Sequence, residues 1–400
     1  MKRLIGLAAA ALALCACEKK TTSPENTTGA TPQPAATTAA PANPAPSSDD
    51  VWRVGEVGSL SGQQATFGQS THHGIELAMK EINDAGGVKG KKFKLTTYDD
   101  QGKPDEAASA TLRLISQDHV QVVLGEVAST NSKAMAPPCQ NNKVPMISPS
   151  STNPEVTAIG DYIFRVCFID PFQGTVMAKF AHDNLKLNKV AILKDVRSDY
   201  SMGLSKYFTE TFTKLGGTIV KEASYSQGDM DFKAQLTELK SAQPQAIYLP
   251  GYYNDVGLIV SQARDLGITA PFMGGDGWDS SKLYELGGKS LNGSYFSNHS
   301  TNQDPNPKLQ KFIADYKAAY GEPPDALAAL GYDAMRVAAD AFARAKSGAG
   351  PDVREAIAGT KDFDGVTGKI TLDKDRNAVK PAVVLELQDG KQVYQTTIAP

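Results

Sequence analysis

The chain has 400 residues, with 41 Lys and Arg set against 44 Asp and Glu for a formal net charge of −3. The basic residues are scattered among acids instead of gathered on one face, which excludes a nucleic-acid-binding surface. Past the first 50 residues about 350 remain, enough for two domains.

Lys2 and Arg3 precede a short apolar run, Leu4 to Leu14, the layout of a secretory signal peptide and too short to span a bilayer. The run ends Leu14-Cys15-Ala16-Cys17, which resembles the lipobox of bacterial lipoproteins with Cys17 as the acylated residue; bulky Leu14 disfavours Cys15. Residues 18–50 are rich in Thr, Pro, Ala, Ser and Asn, without aromatics or apolar periodicity, and read as a disordered tether. No later segment is apolar enough to cross a membrane. Cys139 and Cys167 are the cysteines left over. An oxidising compartment makes them a candidate disulfide, and two buried reduced thiols are the alternative. No histidine neighbours either in sequence, so no metal site is expected.

From residue 51 strands and helices alternate, which predicts βαβ units around parallel sheets. The first series reads as strand Trp52–Leu60, helix Ser70–Asp84, strand Lys92–Asp99, helix Pro104–Gln117, strand Val120–Val127, a helix from Ser129 or Thr130, and strand Val144–Ser148. The cadence then restarts with strand Val190–Lys194, helix Tyr200–Leu215, strand Thr218–Tyr225, helix Asp231–Ser241, strand Ala246–Pro250, helix Asp255–Leu266 and strand Pro271–Gly274. Long helices follow at Pro307–Tyr320 and Asp325–Lys346, then strands Gly368–Leu372, Ala382–Gln388 and Lys391–Ile398. Helices that follow a completed second half and return to cover the first make the connection a multi-strand hinge. The expected division is 51–169 plus 299–379 for lobe 1 and 170–298 plus 380–400 for lobe 2.

In open parallel sheets ligands bind beyond the carboxyl ends of the strands. That directs attention to the loops 58–68, 125–132, 148–154, 195–203, 250–255 and 274–280. In these and the neighbouring segments the chain carries GSLSGQQATFG (58–68), GGVKGKKFKLTTYDD (86–100), LGEVAS (124–129), ISPSSTNPEVT (147–157), YIFRV (162–166) and FMGGDG (272–277). Together these resemble the leucine/isoleucine/valine-binding family of periplasmic proteins. The resemblance implies a type I periplasmic binding protein fold, α/β with two doubly wound parallel-sheet lobes that close on a solute. It also implies capture of an amino acid outside the cytoplasm for delivery to an ABC transporter permease; the chain is expected to act as a monomer, held to the membrane through Cys17 as the lipobox suggests.

The residues agree with such a role. Ser129 and Thr130 open a predicted helix, and Ser151, Thr152 and Asn153 precede Pro154-Glu155, a second helix start. Free N–H groups and hydroxyls at two helix starts suit a carboxylate. In the family Ser129, Ser150 and Thr152 stand where the ligand α-carboxylate and part of its ammonium are held. Asp276 stands where an acid binds the α-ammonium, as Asp and not Glu. Tyr200 and Tyr252 match tyrosines that reach the ligand, and Phe67, Trp278 and Leu327 are candidates for its side chain. Taken singly, each has a plainer reading as a helix cap, a turn residue or a half-buried aromatic.

An enzyme is the rival class, but no phosphate-binding glycine loop, nucleophile elbow or H-E-x-x-H is present, and no cofactor is expected. His72-His73 reads as solvated surface, and Asp99-Asp100 as a turn cap. A module that presents a bound amino acid or amide to a sensory receptor is the other alternative.

Overall fold

The computed structural model describes residues 51–400; the expected signal segment, Cys17 and the expected tether lie outside them. Strands β1 (Val51–Gly58), β2 (Lys92–Asp99), β3 (Val122–Leu124), β4 (Met146–Ser148) and β5 (Ile163–Arg165) alternate with helices α1 (Ala65–Asp84), α2 (Pro104–Ser116), α3 (Ser129–Asn141) and α4 (Glu155–Ala158). The strands form a five-stranded sheet in the order β2-β1-β3-β4-β5, and every adjacent pair is parallel.

The chain then runs through α5 (Asp170–Lys179), β6 (Lys189–Asp195), α6 (Asp199–Lys214), β7 (Thr218–Tyr225), α7 (Lys233–Ser241), β8 (Ala246–Tyr248), α8 (Tyr253–Asp265), β9 (Phe272–Gly274), α9 (Ser281–Gly287) and β10 (Ser294–Asn298). Helices α10 (Pro307–Tyr320), α11 (Ala326–Arg344) and α12 (Gly350–Ala358) follow, then the hairpin β11 (Phe363–Gly365) and β12 (Gly368–Ile370), and last β13 (Ala382–Gln388) and β14 (Lys391–Ile398). The second sheet has the order β14-β13-β10-β9-β8-β6-β7. Its β7-β6-β8-β9-β10 part repeats the first sheet's order, and β13 and β14 add an antiparallel edge.

Helix boundaries follow from local chemistry. Pro104 opens α2 with Asp105 and Glu106 in its first turn, where acids face the positive end of the helix. Asp325 caps α11 by accepting from Ala328 N at 2.9 Å, and α10 stops at Gly321 with φ 85°. Successive strand residues feed opposite faces of the first sheet. Val122, Leu124, Ile147 and Phe164 join a core under α1, α10 and α11, while Val123, Met146 and Ile163 join a core under α2 and α3. Long α11 is buried along most of its length against α1. Glycine permits that approach: a Cβ on Gly74 would lie 2.0 Å from Ala328 O, and one on Gly331 would lie 2.4 Å from Thr71 O.

The first lobe is thus closed by helices that come after the second sheet's parallel strands. The chain crosses from one core to the other between β5 and α5, between β10 and α10, and between β12 and β13. Cys139 and Cys167 are both free and buried. The candidate disulfide is corrected on this point: Cys139 belongs to the core under α2 and α3, Cys167 to the core on the opposite face of the sheet.

The histidine pair also departs from the expected solvated surface. His72 Nδ1 lies 2.6 Å from buried Glu56, and His73 stacks on Tyr320 at 4.0 Å. Asp99 and Asp100 do cap the turn after β2, accepting from Gln101 N and Gly102 N respectively, both at 2.8 Å. Among the described residues no group of three or more His, Cys, Asp or Glu could hold a metal, and no helix is long and apolar enough to cross a membrane.

Candidate ligand-binding site

The loops at the carboxyl ends of β3 and β4 build the first wall. Helix α3 starts without a side-chain cap, because Ala128 occupies that position. The Ser129 hydroxyl instead accepts from Asn153 N at 3.2 Å and ties the two loops together. The first N–H groups of α3 therefore depend on external acceptors. Ser150 Oγ makes a long contact, 3.4 Å, to Val127 O, while Ser151 is consumed internally, donating to Val127 O at 2.9 Å. Thr152 Oγ1 is buried without an aligned partner, in the neighbourhood of the Asp170 carboxyl. Fully buried Arg165 clamps the strand-to-helix loop from behind, donating to Ser151 O and to Asn153 O. The second helix start is weaker than its sequence signature implies. Helix α4 is a single turn of four residues, so recognition there rests on hydroxyls and loop N–H groups more than on a helix field.

The second lobe supplies the opposite wall. Asp276 begins a short 3-10 turn after β9 and is nearly buried. Its Oδ1 accepts from Gln173 Nε2 at 2.8 Å and from Tyr200 OH at 3.0 Å, and its Oδ2 lies 2.9 Å from His299 Nε2. Tyr200 in turn accepts from Gly277 N at 3.2 Å. The adjacent Gly275 is sterically required, since a Cβ there would fall 2.4 Å from the Tyr200 hydroxyl. Tyr252 stacks on Tyr200 at 5.2 Å, and Phe67 from the first lobe meets Tyr252 edge-on at 5.8 Å.

Between these walls lies a narrow cavity of about 10 Å³, bounded by Phe67, Ser129, Ser150, Thr152, Tyr200, Tyr252, Asp276 and Leu327 together with Val127 and Gly277. That is room for about one water molecule, so the walls stand nearly shut on one another. Trp278 is the expected residue that does not reach it. Its indole is buried in the second lobe, donates to Leu249 O at 3.0 Å and stacks near Phe296. A wider recess of about 760 Å³ opens on the flank of the cleft near His73, Tyr284 and Tyr320. It includes neither the hydroxyl wall nor Asp276.

Gln173 and His299 are neighbours of Asp276 that sequence reasoning missed. Each sits on or beside an element absent from the predicted series, α5 for Gln173 and β10 for His299. The Asp170-Pro171 pair at the start of α5 is a helix-start signal that could have found the first.

Electrostatics at the site are dominated by burial. The Asp170 carboxyl is pushed up to about 8, chiefly by burial; Thr152 opposes this, the charge of Asp276 adds to it and that of Arg165 opposes it. Behind the first wall, Glu126 is likewise pushed up to about 8 by burial and by neighbouring Asp100, with which it shares the Ser59 hydroxyl. Burial raises Tyr200 and Tyr252 well above the ordinary tyrosine value, so both stay protonated donors.

The lobes touch around the cavity. Lys133 Nζ reaches Asp199 Oδ1 at 3.1 Å, Asp199 N donates to Thr130 Oγ1 at 3.1 Å, and Asn153 Nδ2 donates to Asp199 O at 2.8 Å. On the other flank Thr66 and Ser280 hydroxyls meet at 2.9 Å, and Tyr253 OH donates to Gln63 O at 2.7 Å. This is a closed arrangement.

Known proteins share this architecture. The chain is 41% identical to a leucine binding protein, LivK, of Thermotoga maritima, with a TM-score of 0.84 over 88% of this chain and 99% of that one. It is 36% identical to the branched-chain amino acid transporter substrate binding protein LivJ of Streptococcus pneumoniae, solved with isoleucine, with a TM-score of 0.83 over 88% of this chain and all of that one. A leucine-, isoleucine-, valine-, threonine- and alanine-binding protein of Pseudomonas aeruginosa is 30% identical over 327 residues, 81% of this chain and 86% of that protein. Residues 51–392 match the family described as periplasmic binding protein, a family of solute binders and not of enzymes, and with two parallel-sheet lobes closed on a small polar-walled cavity the chain belongs to it.

Proposed function

We propose that the chain captures an α-amino acid with an aliphatic side chain by closure of its two lobes and delivers it to an ABC transporter permease. One observation carries this reading: Ser129, Ser150 and Thr152 face Asp276 across a single small cavity whose remaining wall includes Phe67 and Leu327. Hydroxyl and N–H donors on one side suit a carboxylate, the acid opposite suits an ammonium, and the apolar residues suit a short hydrocarbon. The names of the relatives, which bind leucine, isoleucine or a set of small amino acids, point the same way.

In the mechanism we infer, the carboxylate docks first on the hydroxyl wall of the open form. Closure then brings Asp276, Tyr200 and Tyr252 onto the ammonium and excludes water. Ligand shifts the equilibrium only through its preference for the closed form. The lobes correspond to 51–169 plus 299–379 and 170–298 plus 380–400, moving as units about the three connecting segments. Cys17 carries the lipid anchor and residues 18–50 the tether, so a monomer acts at the outer face of the membrane.

A thermal-shift panel of amino acids, amides, urea and short peptides on the purified protein tests the ligand class. A true ligand at about a hundredfold its Kd stabilises by about 2.7 kcal/mol, a shift of a few degrees. A panel in which no aliphatic amino acid raises Tm would retire the assignment. Mass spectrometry of the mature N-terminus tests the acylation of Cys17.

A further inference from the structure

Asp276 is the acid on the cavity wall, and one of its partners is a histidine. The His299 ring is completely buried, with Nε2 2.9 Å from Asp276 Oδ2. Its Nδ1 is buried and has no hydrogen-bond partner. The ring stacks on Phe168 with centroids 3.8 Å apart and planes 25° from parallel. Phe168 and His299 lie on two of the three segments that connect the lobes.

An imidazole in this place could serve in either of two ways. As a cation it would neutralise Asp276 and leave little charge to recognise an ammonium. It would also carry two N–H donors, and the one on Nδ1 would be buried without an acceptor. As a neutral ring with its proton on Nε2, it satisfies Asp276 Oδ2 and asks nothing of Nδ1. We propose that His299 is a positioning residue that fixes Asp276 as a neutral Nε2–H donor and so keeps the carboxylate charge uncompensated for a ligand ammonium. This inference rests on the amino-acid reading of the cavity given above.

The surrounding charges are consistent with a neutral ring. Burial disfavours the cation most, Asp276 and Asp279 oppose that effect, and Lys380 reinforces it, so that the pKa lies below the ordinary histidine value. Phe168, from the remaining packed segment, carries no charge.

Two measurements on the purified protein decide the matter. Nitrogen-15 spectra of the histidine rings, with His299 assigned by its loss in His299→Gln, should show a neutral Nε2–H tautomer. Its titration should lie below ~6.5 and move lower still when L-leucine is added. Calorimetry with L-leucine at one fixed pH compares the variants with the wild type. His299→Phe, which keeps the stack but not the donor, should weaken binding about tenfold. His299→Gln, a neutral donor, should recover most of that loss, while His299→Lys should abolish binding. A ring that titrates at or above ~6.5, or His299→Phe binding as tightly as wild type, would overturn the proposal. Should His299→Phe fail to fold, His299→Gln binding as poorly as His299→Lys overturns it equally. Failure of the wild type to bind any amino acid counts against the ligand assignment instead, and the ring spectra then still decide whether His299 is a neutral donor.

Discussion

The Tyr200 hydroxyl, on the first turn of α6, donates to Asp276 Oδ1 at 3.0 Å, and the same hydroxyl accepts from Gly277 N, so ring and acid hold one another at the cavity wall. Asp276→Ala removes the proposed ammonium partner and should weaken amino-acid binding at least tenfold, roughly 1.4 kcal/mol or more. Tyr200→Phe removes one hydrogen bond to a charged group and should weaken it by about tenfold, in line with ~1.5–3 kcal/mol for such bonds. Isothermal calorimetry measures both, and unchanged affinity in Asp276→Ala would rule out its assigned role.

Leu327, the second residue of α11, closes the apolar end of the cavity. Truncating it to Ala enlarges a small space. Aliphatic ligands should bind about tenfold more weakly, consistent with ~1–3 kcal/mol per methylene-scale change, while bulkier side chains gain relative to them. Competition between leucine and phenylalanine before and after the substitution reads the ratio; an unaltered ratio argues that Leu327 does not meet the ligand.

Lys133 bridges Glu155 of its own lobe and Asp199 of the other at 2.6 and 3.1 Å. The pair is partly exposed, so its contribution falls in the range ~0.2–1 kcal/mol. Lys133→Ala should therefore weaken binding only two- to fivefold, by making the closed form less populated. Small-angle scattering of the ligand-free protein should show a larger radius of gyration for the variant, and an identical radius would place the closing force elsewhere.

Asp170 links protonation to folding. Its carboxyl is held near 8 in the fold, mainly by burial, against an ordinary value of 3.8. Between those values the folded state keeps a proton that the unfolded chain releases, so this group makes stability fall as pH rises, by roughly 1.4 kcal/mol per pH unit. Below that window both states are protonated and the dependence vanishes. Asp170→Asn has no such dependence. Urea unfolding at about pH 5.5 and pH 7.5 should find the wild type losing roughly 2–3 kcal/mol relative to the variant; a constant difference would show that Asp170 is ionised in the fold.

Much of the architecture is legible because long elements carry their own period. Lys92–Asp99, Thr218–Tyr225, Pro307–Tyr320, Ala382–Gln388 and Lys391–Ile398 run as their residues predict. The apolar stretch Val120–Val127 pairs only over Val122–Leu124, because apolarity records burial on both faces and not ladder length. Three-residue Ile163–Arg165 and the polar Ser294–Asn298 have no period to read. Missing the second of these hid His299, which follows it. Trp278 fails for a different reason: a residue two positions from the ligand acid is near in sequence, but the 3-10 turn rotates its side chain into the core. The resemblance pointed to Ser129, Ser150, Thr152 and Asp276, which line one cavity, whereas Gln173 and His299 meet Asp276 through contacts between positions 103 and 23 residues apart.

The antiparallel edge built by β13 and β14 has a bearing on how the molecule can be divided. The first lobe needs α10 to α12 from late in the chain, and the second needs its final two strands. Neither half is therefore a contiguous stretch of gene. A chain cut between β10 and α10 would leave the first sheet without α10 to α12 and the second without β13 and β14, so neither lobe can be made from the first part of the gene alone.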